Sequence, residues 1–158
     1  MTVTALKRPM VAQRYGAHRV ALPVVELRLR RGDRIARPRA ALVDTGATFT
    51  LCSLALAAEL GLDEAAVKTS TDVVDLHGAG AGPKGSAWGW TCDLYLGDGE
   101  ADGRLVLPGA RVYFTAWGLA GYPALLGHHD VLERLTFSVL NHPPSPGFVL
   151  RFPSAPRR

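Results

Sequence analysis

Cysteine is scarce in this sequence, which has only Cys52 and Cys92 among its 158 residues. The two are isolated and show none of the paired spacing that marks a zinc site or a disulfide framework. This absence excludes a small secreted domain held together by disulfides. We therefore expect both thiols to be reduced and buried.

Long apolar runs are absent as well. No stretch approaches the roughly 20 apolar residues of a membrane-spanning helix, and residues 1–20 lack the continuous apolar core of a secretory signal. We therefore expect no membrane segment and, by default, a cytoplasmic location. Apolar residues still make up 47% of the chain, which excludes a disordered protein and allows one domain with a real core.

Basic residues are concentrated near the N-terminus. Residues 1–40 contain ten Lys and Arg against two acidic residues, whereas the remaining residues contain eight against twelve. A basic segment of this kind can bind nucleic acid, and residues 7–39 keep that hypothesis open. The arginines of residues 28–39 fall among alternating strand-like positions, so a solvated strand face is the commoner explanation. No nucleic-acid partner is expected.

A strand and its return arm lead to an acidic residue. Residues 25–30 alternate apolar and polar side chains with period two, as in a half-buried strand, and residues 31–34 supply the turn. The return arm ends in the short apolar run 40–43, which Asp44 follows directly. The pattern therefore predicts a buried strand with an acid at its end.

Short strands dominate the rest of the chain. Helices are predicted only at residues 54–60, between Ser53 and Gly61, and around residues 129–134. Further strands are predicted at residues 48–51, 71–76, 88–96, 104–107, 110–114, 124–127, 136–140 and 148–152. Many short strands with one or two short helices favour a mostly-β, barrel-like fold over alternating βαβ units.

The run Asp44-Thr45-Gly46-Ala47, which follows the apolar strand, resembles the catalytic signature of retropepsin-like aspartic peptidases. A short β segment and a helix follow it, as in that family. The later run Ala124-Leu125-Leu126-Gly127 resembles the hydrophobic-hydrophobic-glycine segment that threads beside the acid's loop. The resemblance covers residues 24–152 in motif order and implies a closed acid-protease β-barrel with one lobe per chain.

Aspartic peptidase chemistry needs two carboxylates that face each other, and this sequence has a single Asp-(Thr/Ser)-Gly run. The resemblance therefore implies a homodimer in which each subunit supplies Asp44 to one shared site. Like-charge repulsion makes two such carboxyls share one proton, so one acts as base and the other as acid in peptide-bond hydrolysis. Thr45 would hydrogen-bond across the dimer, and the Gly46 backbone would hold the carboxylates. No metal or cofactor would be required.

The same resemblance implies which residues bind substrate. The Gly-rich stretch after the strand at 71–76 lies where the family has its flap, which closes over an extended peptide or protein substrate. The residues assigned to substrate binding are Ala47, His77, Gly78, Ala79 and Gly80. The residues that would support the catalytic loop are Leu125, Leu126 and Gly127.

Two other motifs are weaker indications of a ligand-binding site. Residues 80–85 fit G-x-G-x-x-G, but a strand is predicted after them, where a dinucleotide loop needs a helix. The pair His128-His129 lacks a third metal ligand at suitable spacing. The fold could also be retained without activity, as a dimerisation or peptide-binding module.

The resemblance also divides the chain. Residues 19–153 would form the peptidase domain, and residues 154–158 a polar tail. Residues 1–18 have no clear counterpart in the family, so we expect an N-terminal arm that is flexible or serves as a pro-segment.

Overall fold

Strands account for most of the regular structure in the computed structural model, which describes residues 4–77, 83–97, 104–119, 121–141 and 146–153. The strands are β1 (Ala5–Pro9), β2 (Val11–Tyr15), β3 (His18–Leu22), β4 (Val24–Arg31), β5 (Arg34–Ile35), β6 (Arg39–Val43), β7 (Leu51–Ser53), β8 (Val73–His77), β9 (Pro83–Leu96), β10 (Leu105–Thr115), β11 (Ala124–Leu126), β12 (Thr136–Leu140) and β13 (Gly147–Arg151). The helices are α1 (Leu54–Glu59) and α2 (Glu64–Val67), and a 3₁₀ turn spans Leu132–Arg134. No helix in these ranges is long and apolar enough to cross a membrane.

Six strands close into a barrel in the order β4, β6, β11, β7, β10 and β9, because β4 pairs with both β6 and β9. Strand β8 extends the sheet beyond β9, and β5 extends it beyond β4. The prediction of a mostly-β closed barrel with one or two short helices is confirmed, although only α1 lies where a helix was predicted.

The barrel is filled by the apolar side of its alternating strands. On β4, Val25, Leu27 and Leu29 are buried while the residues between them are only partly so. Leu94 of β9, the cross-strand partner of Leu29, and Leu107 of β10 belong to the same buried cluster. Burying one such side chain stabilises the fold by about 1.5–3 kcal/mol, which explains why the period-two pattern located these strands.

Strand β11 threads between β6 and β7. It is parallel to β6, with Leu126 opposite Val43, and antiparallel to β7, with Leu125 opposite Leu51. The ends of β6 and β11 therefore lie side by side, and the residues that follow each strand can touch.

Strands also account for most of residues 5–22. β1 pairs with β13, which pairs with β12 in the predicted closing hairpin, and Leu6 of β1 is 1% exposed. β2 and β3 form a hairpin, whose Gln13 accepts a hydrogen bond from the hydroxyl of Tyr122 at 2.6 Å. Processing of this segment stays a prediction.

Three local predictions need correction. Residues 48–50 are loop, and the strand is confined to 51–53, because the carbonyl groups of Thr48 and Thr50 accept bonds from other segments. The two strands expected at 104–114 form one strand with a bulge after Leu107. The helix expected around 129–134 shrinks to the 3₁₀ turn, since Asp130 has a φ of 60°.

Candidate active site

Asp44 follows β6 directly and is fixed by backbone hydrogen bonds. Its N–H donates to the carbonyl of Leu126 at 3.0 Å, which joins the ends of β6 and β11. Its Oδ1 accepts the N–H of Gly46 at 3.0 Å, and its carbonyl accepts the N–H of Ala47 at 3.1 Å. The half-buried carboxylate is thus oriented by its own tight turn, and its second oxygen keeps its acceptor sites.

Gly127 packs directly beneath this turn. A Cβ on this residue would overlap the carbonyl of Phe49, so only glycine allows the two backbones to approach so closely. Its N–H donates to Oγ1 of Thr50 at 3.0 Å, and the Thr50 side chain is fully buried. Leu125 and Leu126, which precede it in β11, are buried as well.

The segment after Gly127 supports the rest of the loop that follows Asp44. The N–H of His128 donates to the carbonyl of Ala47 at 2.8 Å, and that of His129 donates to the carbonyl of Thr48 at 2.7 Å. The Phe49 ring lies 4.8 Å from the Tyr113 ring and 6.0 Å from the His129 ring, measured between centroids. The loop from Asp44 to Phe49 is therefore held along its whole length.

A cleft of about 380 Å³ opens beside Asp44. Of the predicted site residues, Asp44, Gly46, Ala47, His77 and Leu125 line it. Its remaining wall is formed by Thr48, Phe49, Leu51, Asp75, Leu76 and Trp117.

The other predicted site residues lie outside the cleft wall. Thr45 is exposed at the tip of the turn. Leu126 and Gly127 are buried below the loop. Gly78, Ala79 and Gly80 lie outside the described residues, so their assignment to a flap stays a prediction.

Comparison with solved structures finds a similar fold. The crystal structure of a retropepsin-like aspartic protease from Rickettsia conorii matches with a TM-score of 0.51 and 16% sequence identity, over 94% of this chain and 93% of that one. The fold is retropepsin-like. No family model and no curated protein matches the sequence.

Two residues that line the cleft in this retropepsin-like fold, Asp75 and Trp117, were not predicted from the sequence. Asp75 could have been found, because it is two residues from His77 and so shares its face of β8. Trp117 has no such local signal. The buried hydroxyl of Thr115 places it, accepting the N–H of Trp117 and donating to the carbonyl of Ser86, each at 3.0 Å.

Neither the histidine pair nor the thiols add a second reactive centre. His128 and His129 lie 4.0 and 3.6 Å from Glu133, and no group of three potential ligands for a metal ion occurs among the described residues. Both cysteines are free and buried, as expected. Burial raises the pKa of Cys92 to about 12 and raises that of Cys52 as well, so both thiols stay protonated and unreactive.

Several arginines of the basic segment have partners within the chain. Arg37 and Arg39 both approach the carboxylate of Glu59, the last residue of α1. The Arg31 guanidinium lies 5.0 Å from the centroid of the Trp90 ring. These contacts support the interpretation of the segment as a solvated strand face.

Proposed function

We propose that this chain is one subunit of a homodimeric aspartic endopeptidase, with Asp44 of both subunits in one active site. One observation carries the proposal: within a retropepsin-like fold, the single Asp-Thr-Gly run ends a buried strand and holds its carboxylate at a cleft. A two-fold axis beside the exposed turn at Thr45 would place the Asp44 carboxylate of the second subunit next to that of the first.

The chemistry follows from the repulsion between two neighbouring carboxylates. They share one proton, so at acidic to neutral pH one is ionised and the other is neutral. The ionised Asp44 takes a proton from a water that attacks the peptide carbonyl, while its protonated mate donates a hydrogen bond to the carbonyl oxygen. The leaving nitrogen is then protonated as the C–N bond breaks.

The cleft is suited to an extended peptide. Strand β8 is the last strand of its sheet and pairs only with β9 among the described strands, so its outer edge can pair with a substrate as an added strand. His77 at the end of β8 lines the cleft together with Ala47, so both predicted contacts can reach a bound side chain.

The deciding experiment compares wild type with Asp44→Asn on a complex peptide mixture, from mildly acidic to neutral pH, with mass spectrometry as the readout. Asparagine keeps the size of the side chain and can still accept the N–H of Gly46, but it cannot act as a base. We expect defined cut sites in wild type alone, with most activity on the acidic side of neutrality.

The oligomeric state is measured on the same samples by analytical ultracentrifugation. Both proteins should be dimers, and dilution below the dimerisation constant should abolish cleavage by wild type. If wild type stays a folded dimer and leaves every peptide intact, the peptidase proposal is wrong and the chain is better regarded as a binding module.

A further inference from the structure

Asp75 places a second carboxylate in the cleft of Asp44. It lies on the exposed face of β8, and its Oδ1 accepts a hydrogen bond from the hydroxyl of Ser86 on β9 at 3.3 Å. The carbonyl of the same Ser86 accepts the bond from Thr115 that places Trp117. Hydrogen bonds through Ser86 and Thr115 therefore connect the side chain of Asp75 with the backbone of Trp117.

Within the described residues, Asp75 forms a hydrogen bond with Ser86 and no salt bridge. Other carboxylates outside the cleft are paired, such as Asp72 with Arg111, Glu59 with Arg39, and Glu64 with Lys68. No Lys or Arg among the described residues pairs with Asp75, and none lines the cleft. The cleft thus presents two acidic groups to a ligand, with His77 as its only titratable base among the residues found to line it.

Most of the other residues in the cleft wall are apolar, although Thr48 and His77 are polar. The apolar residues that line the cleft with Asp75 include Leu76, Trp117 and Phe49. Lysine and arginine combine a long aliphatic stem with a cationic head, so the stem can lie along such surface while the head reaches a charged partner. The face of an indole ring also attracts a cation. An acidic side chain would instead be repelled by both carboxylates.

We propose that Asp75 makes this cleft select a basic side chain, lysine or arginine, in the peptide it cleaves. The proposal rests on the peptidase function proposed above and names the substrate class of that site. In a two-fold dimer both subunits supply Asp75, so two equivalent basic subsites flank the pair of Asp44 carboxylates. The preference should therefore occur at one position on each side of the scissile bond.

The test is cleavage of a randomised decapeptide library by wild type, Asp75→Asn, Asp75→Lys and the control Asp33→Asn. Asp33 lies in the exposed turn between β4 and β5, so its variant makes the same change in net charge away from the cleft. We expect wild type and Asp33→Asn to enrich lysine and arginine at the two positions. The enrichment should fall about fivefold in Asp75→Asn, the effect of losing one partly exposed ion pair. Asp75→Lys should favour aspartate and glutamate instead.

Failure of this inference and failure of the peptidase proposal give different results. Cleavage by wild type without basic enrichment, or unchanged enrichment in Asp75→Asn, would overturn the role of Asp75 and leave the peptidase intact. If no protein cleaves the library, the role of Asp75 is tested by binding instead. Two peptide pools that differ only by Lys or Gln at one fixed position are titrated calorimetrically into wild type and into Asp75→Asn. Tighter binding of the Lys pool to wild type than to Asp75→Asn supports the cleft preference, and equal binding of both pools to wild type overturns it.

Discussion

Replacing Thr50 by valine should destabilise the protein although the two side chains have nearly the same shape. The hydroxyl of Thr50 accepts the N–H of Gly127 in a fully buried position, and valine leaves that N–H without a partner. An unsatisfied buried donor costs about 1–3 kcal/mol. For a chain of this size, a loss of about 2 kcal/mol lowers Tm by roughly 4–8 °C. Scanning calorimetry and urea unfolding with an unchanged m-value would measure it.

The conservative variant Thr50→Ser separates the hydrogen bond from packing. Serine keeps the acceptor and removes one methyl group, which costs about 0.8 kcal/mol. Valine is more apolar than threonine, so hydrophobic burial alone predicts that Thr50→Val is at least as stable as wild type. That result, or a larger loss in Thr50→Ser than in Thr50→Val, would refute the argument. We also expect Thr50→Val to lower the proposed peptidase activity, because the same bond holds Gly127 against Phe49 in the loop that follows Asp44.

Two further predictions concern the folded chain. Gly127→Ala should prevent native folding, because the added Cβ would overlap the carbonyl of Phe49. The control Gly118→Ala should fold normally, since nothing lies within 4 Å of its Cβ position. Equal circular dichroism melting curves for the two variants would contradict this prediction. The Cys92 thiol should react with iodoacetamide at mildly alkaline pH more than about a hundredfold more slowly in the folded protein than in guanidinium chloride, since burial raises its pKa to about 12. Rapid labelling of the folded protein would show that the barrel opens at this strand.

Local patterns predicted the elements whose folding depends on their own residues. Strand β4 is found where alternation predicts it, because each buried Val or Leu faces the barrel. Helix α1 begins after Ser53 and ends before Gly61, whose φ of 78° suits glycine. The overlooked helix α2 also had a local signal, since Asp63 caps it by accepting the N–H of Ala66 at 2.8 Å.

Other features depend on contacts between distant residues. The barrel closes because Leu27 of β4 pairs with Leu96 of β9, and neither residue's neighbours in sequence indicate that partner. Residues 48–50 have the composition of a strand, yet their carbonyl groups bond to His129 and Tyr113 and hold them in a loop. Tertiary hydrogen bonding here outweighs β-propensity, which is a weak local preference.

The cleft combines residues that a local sequence pattern indicates with residues that only contacts between distant parts of the chain bring together. One side of the cleft comes from the continuous run that begins at Asp44 and from β11, and a short motif is enough to indicate both. The other side comes from β8 and from Trp117, two residues after β10, whose position depends on the hydrogen bond that Thr115 donates to the carbonyl of Ser86 on the adjacent strand. A motif therefore predicts the position of the Asp44 carboxylate, whereas the charge and shape of the rest of the cleft depend on strand pairing. For this reason Asp75 and Trp117, rather than the residues of the motif, are where substrate preference should respond to mutation.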